Sequence, residues 1–350
     1  MDKIRIGIIG CGGMARGHVE RFSGIKNKIV VTAVADVIRD RAEAVASVLE
    51  SKPIVESDYR KILKYVDAVL LVLPHHLHCE VTLECLDAGK HVLVEKPMAN
   101  NEEECIKMIK KQRETGLILM VGYCMRYHPL IREMKRLVDE KKYGAVFQMS
   151  IWTEQLTCYP EGHWARSAKL LGGGQLFSHG CHYIDLLLWF LGKPLWGCHI
   201  GTNRGTPWME REGTSNVTIE FENGIIGYHF GTWGARGSRL KYSFHVHCEG
   251  GMLEMNREQG KLILHHRAAI HNAGIMKSKQ VEEVLMETPD AKPTAEEMAH
   301  FVDCILTGST PLTDAVGSIE GLRVIWKLYE AEQKHILADL RGLGLGTFKI

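Results

Sequence analysis

The aliphatic run Ile4–Ile9 passes directly into Gly10-Cys11-Gly12-Gly13-Met14-Ala15, and the residues that follow read as a helix over Ala15–Phe22. Strand, glycine-rich turn and helix in that order restrict the start of the chain to a βαβ unit. The glycines permit a tight turn and let its backbone approach a diphosphate at the helix N-terminus. Glycine-rich turns alone are common, so context decides. A second strand, Ile29–Ala35, ends in Asp36, about 20 residues beyond the turn, where a carboxylate accepts from ribose hydroxyls and repels a 2′-phosphate. Gly10, Gly12, Gly13, Met14 and Asp36 are therefore expected to hold a dinucleotide, NAD in preference to NADP. Arg39 and Arg41 stand near enough in sequence to serve a 2′-phosphate instead.

The alternation continues. Helices are expected over Asp40–Leu49, Cys79–Asp87 and Glu102–Glu114, between strands at Ala68–Leu73, His91–Val94 and Leu117–Val121. Short strands separated by helices of about ten residues make a parallel sheet with right-handed crossovers. After Gly122 the pattern changes to a helix over Pro129–Glu140, a strand over Val146–Thr153, a long loop with Gly172-Gly173-Gly174, and a helix over Cys181–Phe190. Strands then follow one another at Ser215–Phe221, Ile225–Thr232, Tyr242–Cys248, Met252–Asn256 and Lys261–Leu264. Turns at Asn223-Gly224 and Gly250-Gly251 favour an antiparallel meander. Helices over Ala295–Leu306 and Ser318–His335 close the chain. The expected fold is α/β: a doubly wound parallel sheet in residues 1–124, then an α+β domain with a large, mainly antiparallel open sheet in residues 125–350. Helices can cover one face of that sheet and a second copy the other, as a homodimer or homotetramer.

With 350 residues the chain exceeds one ordinary core, which agrees with two domains. A net charge of +1 gives no electrostatic reason to bind nucleic acid or an anionic membrane. Apolar stretches such as Ala68–Leu73 and Ile184–Leu191 are far too short to span a bilayer. No basic-then-apolar leader precedes the first strand, and the ten cysteines include no Cys-x-x-Cys pair, so a reducing cytoplasm is expected. Among 18 histidines, His75, His76 and His78 cluster, but no zinc-ligand spacing accompanies them, and no metal is expected.

The buried-strand pattern His91–Val94 ends in Glu95-Lys96-Pro97. A lysine at the carboxyl end of a strand in an open α/β sheet points into the ligand crevice, where burial and neighbours can tune it as an acid/base. Beside a nicotinamide cofactor, Lys96 is the natural proton carrier. Pro74, His75 and His78 follow the preceding strand, where a loop passes the nicotinamide end. Either they contact the cofactor, or they only start a helix with His78 at the surface.

The succession Gly-x-Gly-x-x-Ala, Asp36, Leu-Pro-His-His-Leu-His (73–78), Ala-Gly-Lys-His-Val-Leu-Val-Glu-Lys-Pro (88–97), triple glycine and His182-x-x-Asp185 resembles the Gfo/Idh/MocA family of NAD(P)-dependent sugar and cyclitol oxidoreductases. The resemblance spans nearly the whole chain, with Glu95-Lys96-Pro97 its most specific element. It implies a cis Lys-Pro bond, with Glu95 and Lys96 at the cofactor. It also implies a lysine that works with an aspartate and a histidine four residues apart. The histidine falls on His182. The aspartate falls on Ser178, which cannot supply a carboxylate; Asp185, one turn beyond His182, either replaces it in part or faces the core.

His179 adds a second imidazole. Ser178-His179-Gly180 is also similar to the NAD-dependent glycosidase branch, where a sugar hydroxyl is oxidised transiently, the aglycone is eliminated and the cofactor is recycled. His179 is then either an acid/base or a cap on a backbone group. Loss of the aspartate also leaves room for a nucleotide-binding protein without catalysis. Further candidates for a sugar pocket are Arg126 and Tyr127, with His128 beside them, and Trp152, His163 and Trp164. Aromatic faces suit sugar C–H faces and cations suit hydroxyls or acids, while the tryptophans serve equally as packing residues. The leading expectation is an NAD-dependent oxidoreductase of a sugar, sugar derivative or inositol, with Lys96 and His182 handling the proton. The alternative is the glycosidase.

Overall fold

The computed structural model describes residues 3–272, 275–289 and 291–349. The first half forms β1 (Ile4–Ile9), α1 (Gly13–Arg21), β2 (Ile29–Ala35), α2 (Arg39–Ser47), β3 (Ile54–Glu56), β4 (Ala68–Leu71), α3 (His78–Asp87), β5 (His91–Val94), α4 (Glu102–Thr115) and β6 (Leu119–Val121). Its strands make a six-stranded parallel sheet in the order β3-β2-β1-β4-β5-β6, the doubly wound arrangement. Helices cover both faces, so the strands read as continuous apolar runs: Ile6, Ile8, Ile9 and all of β4 are buried. The strand order reverses between β1 and β4, which places the ligand crevice at their carboxyl ends.

The second half continues with α5 (Pro129–Asp139), β7 (Val146–Glu154), α6 (Ala168–Leu171), α7 (Cys181–Leu191), β8 (Pro194–Thr202), β9 (Thr214–Phe221), β10 (Ile226–Thr232), β11 (Tyr242–Cys248), β12 (Gly251–Asn256), β13 (Lys261–Asn272), β14 (Ile275–Glu287), α8 (Thr294–Thr307), α9 (Ala315–Lys334) and β15 (Ala338–Asp339). Nine strands form one sheet in the order β14-β13-β12-β11-β7-β10-β9-β8-β15. The expected meander is therefore interrupted. Strand β7 inserts between β11 and β10 and runs parallel to β10, so consecutive β10 and β11 never pair. Four strands escaped the sequence pattern: β3, β8, β14 and β15, with β14 the partner of a β13 much longer than expected.

On one face Met149, Ile151, Val217, Ile219, Phe244 and Val246 pack with α7 and α9 in the main core. The other face carries Trp152 in ring contact with Tyr228 and with His245, and Ile200 and Ile226 are exposed there. A boundary near residue 124 misses one element: Met298, Phe301 and Val302 of α8 bury themselves against Ile6, Ile8 and Met120 of the first sheet. The chain thus returns to the first domain after completing the large sheet. No helix among the described residues is long and apolar enough to cross a membrane.

Candidate active site

A cavity of about 320 Å³ lies between the two domains, lined from the first by Met14, His75, Glu95 and Lys96 and from the second by Ser178, His179, His182 and Tyr242. Met14 comes from the glycine turn. Gly10 has φ +89°, and a Cβ there would sit 2.2 Å from the Val72 carbonyl oxygen, so only glycine fits. Gly12 caps α1 with no side-chain acceptor, and its own and Gly13's Cβ directions face open space. An uncapped helix start behind an open glycine surface suits a diphosphate. Asp36 closes the end of β2: its Oδ2 accepts from the Cys11 amide at 2.8 Å and its Oδ1 from the Ile38 amide at 2.8 Å. Each oxygen keeps a second lone pair for ribose. Arg39 turns to Glu43 at 2.8 Å. These residues fit an NAD cofactor.

Pro74 ends the segment after β4 and opens the short helical turn His75–Leu77, which aims His75 into the cavity. The His75 Nδ1 meets the Leu171 carbonyl at 2.8 Å, and its ring packs edge-on to Trp164 at 4.7 Å. His78 is neither at the surface nor at the cavity. It is buried, with Nδ1 2.8 Å from the Pro97 carbonyl and Nε2 3.0 Å from that of Leu73, and it braces the Lys96-Pro97 corner. Burial lowers its pKa despite both carbonyls, and a neutral ring donates to only one of them.

The Lys96–Pro97 peptide is cis. Lys96 Nζ donates to the main-chain oxygen of Ser178 at 2.9 Å. A carbonyl therefore holds the ammonium at the position where the resemblance places a carboxylate. Ser178 belongs to a π-helical turn, Leu176–Gly180, that leads into α7; such turns recur at functional sites. Glu95 is directed toward α1, where its Oε1 lies 2.8 Å from His18 Nε2. Burial opposes its charge, but His18, Lys292 and Lys96 outweigh burial and hold its pKa below the carboxylate range.

His182 lines the cavity, edge-on to Tyr123, and its ring makes no hydrogen bond among the described residues. His179 also lines the cavity, with Nε2 3.4 Å from both the Tyr183 and Tyr242 hydroxyls, so it does not cap a backbone group. Burial, aided by the positive charge of Lys96, pushes both imidazoles well below their ordinary pKa. At neutral pH both are uncharged bases.

Other candidates fall elsewhere. Arg126 is buried in a two-point ion pair with Asp185, its Nη2 2.6 Å from Oδ1 and its Nε 2.7 Å from Oδ2. That pair answers two questions together: Arg126 does not line the cavity, and Asp185 faces the core. Tyr127 donates or accepts across 3.1 Å to the Thr313 hydroxyl inside the core, and neighbouring His128 caps α5. Trp152 sits on the sheet face away from the helices and away from the cavity. Trp164 lines the cavity, whereas His163 stacks on Tyr159 at 4.2 Å behind it. The sequence reading missed Gln155, Tyr159, Trp233, Tyr242, Arg257 and Lys292, which also line the cavity. They carry no motif and come from separate loops and strands, so nothing in one sequence groups them.

Fold and site together define a two-domain oxidoreductase with an NAD-binding Rossmann domain and the crevice against a second, open-sheet domain. Residues 4–123 match the model "Oxidoreductase family, NAD-binding Rossmann fold" and residues 131–254 match the "GFO/IDH/MocA C-terminal domain". The chain belongs to the Gfo/Idh/MocA family of oxidoreductases, whose members include inositol and sugar dehydrogenases. It is 29% identical to inositol 2-dehydrogenase 2 of Saccharopolyspora erythraea over 64% of this chain and 65% of that enzyme. It is 24% identical to scyllo-inositol 2-dehydrogenase (NAD(+)) of Bacillus subtilis over 92% of both. A levoglucosan dehydrogenase in complex with NADH and levoglucosan shares the fold, with a TM-score of 0.82 at 19% identity over 97% of this chain and 100% of that one.

Proposed function

We propose that the protein is an NAD-dependent dehydrogenase of a secondary hydroxyl on a sugar, sugar derivative or inositol. The observation that carries this reading is the meeting of Lys96, His182 and Met14 of the glycine turn in one cavity. Bound NAD supplies the acceptor for the hydride of the reacting carbon. Lys96, tethered by one N–H to the Ser178 carbonyl, keeps its remaining N–H positions for the substrate oxygen. His182, neutral and without a hydrogen-bond partner among the described residues, accepts the hydroxyl proton in oxidation and returns it in reduction. Trp164 and Tyr159 offer ring faces to the C–H surface of a sugar.

A second reading, the glycosidase with recycled cofactor, is favoured by one observation: His179 gives the cavity a second neutral imidazole beyond Lys96 and His182. One experiment separates the two. Purified enzyme is offered inositols, free sugars and aryl glycosides, with and without added NAD, and both NADH absorbance and aglycone release are followed. Stoichiometric NADH from a polyol or sugar supports the dehydrogenase. Steady aglycone release without NADH accumulation supports the glycosidase. NADH binding with turnover of nothing in the panel removes both.

We also infer self-association through the sheet face that carries Trp152, Tyr228, Ile200 and Ile226. A monomer in light scattering at micromolar concentration would refute it.

A further inference from the structure

Lys292 is a cavity residue that the proposed chemistry does not use. It stands just before α8, on the segment that carries the chain from the large sheet back to the first domain. Its Nζ lies 3.6 Å from the Met14 sulfur, and among the described residues it forms no ion pair. A thioether is a weak acceptor, so this ammonium is poorly satisfied by protein. Burial opposes its charge, yet Cys124, Glu95 and Glu297 outweigh burial and hold its pKa above the usual lysine value. It is therefore charged at neutral pH.

Met14 is the second residue of α1, so the lysine head stands beside the start of that helix. The helix has no side-chain N-cap and no acidic residue in its first turn. The helix terminus alone offers only about half a positive charge to a diphosphate that bears two negative ones. We infer that Lys292 is a cofactor-binding residue whose ammonium pairs with the diphosphate of the dinucleotide across the glycine turn. The ligand then bridges the two halves of the chain, with the turn amides on one side and a lysine delivered by the second half on the other. This inference rests on the cofactor and not on which alcohol is oxidised, so it survives a wrong substrate assignment.

Calorimetric titration of the full chain with NADH, ADP-ribose and AMP tests it without any turnover. Lys292→Met keeps the length of the side chain and removes the charge. It should weaken NADH and ADP-ribose alike, by about tenfold or ~1.4 kcal/mol, and AMP by much less. Lys292→Arg should restore both to within about threefold, and Lys292→Gln serves if the methionine variant does not fold. Unchanged ADP-ribose affinity in a folded, uncharged variant overturns the inference. So does a loss confined to NADH, which would place the lysine at the nicotinamide end instead.

Discussion

The two walls of the cavity are built in different ways. The first domain contributes strand ends and the turns that follow them: Met14 in the turn after β1, Leu73 and His75 after β4, and Glu95 and Lys96 after β5. Parallel pairing fixes where those ends lie, so sequence position and spatial position are nearly equivalent. The second domain contributes a π-helical turn, a long loop, the strand β11 and the segment before α8, which tertiary packing alone brings together. The first wall is dictated by local rules and recognises the cofactor. The second wall is assembled at a distance, from segments far apart in the sequence.

That contrast can be broken, and the largest test is at the junction of the walls. Lys96→Met should lower kcat/KM for the true substrate by about 10²–10⁴-fold, the usual span for a positioned acid/base, while NADH affinity changes by less than about threefold. Steady-state kinetics beside fluorescence titration of NADH would show it. Retained turnover would detach Lys96 from the proton and return the site to its second wall.

The next test concerns a residue that sequence reasoning placed in the ligand wall and the structure places in the core. Arg126→Ala leaves Asp185 buried without its partner, which should cost about 3–5 kcal/mol of stability. Chemical denaturation should record that loss, with KM close to that of the parent in whatever fraction stays folded. A large rise in KM at unchanged stability would put Arg126 back at the ligand.

Acid should weaken the fold on both sides of the cavity. Burial holds His75, His179, His182 and His229 below the ordinary histidine value of 6.5, with His229 at about 3. Below pH 6.5 the unfolded chain takes up protons that the folded chain refuses, so stability is present above that pH and is lost as pH falls. Glu297 has the opposite sign, because burial raises its pKa and its contribution is lost as pH rises. With His78 also held low by burial, the imidazoles outnumber this carboxyl, and the net effect is a loss of stability as pH falls below 6.5. Denaturation midpoints across that range would measure it, and a flat profile would mean that these rings are accessible to water.

The smallest effect sharpens the role of the missing aspartate. Since the main-chain oxygen of Ser178 holds Lys96, Ser178→Ala leaves that bond intact and should change kcat by less than about fivefold. A loss near a hundredfold would show that the hydroxyl itself handles the proton.

Much of the first domain was legible. β2, β5, α3 and α4 lie within a residue or so of their expected bounds, because period and caps act locally. The order of the large sheet was not legible. Hairpin turns name which neighbours can pair, but the insertion of β7 beside β10 depends on contacts about 80 residues apart. The same holds for the site. Lys96 and His182 announced themselves through motifs, whereas Tyr242 and Lys292 stand in segments that look ordinary.

For this protein the chain by itself determined the glycine turn, the acid at the end of β2 and the lysine at the end of β5, since each follows from steric and hydrogen-bonding rules over a few residues. Only the tertiary structure decided that Arg126 belongs to Asp185, that a carbonyl replaces a carboxylate beside Lys96, and that Lys292 returns to the cofactor turn. Those outcomes depend on which buried charges find partners once distant segments pack, and no local rule contains that information.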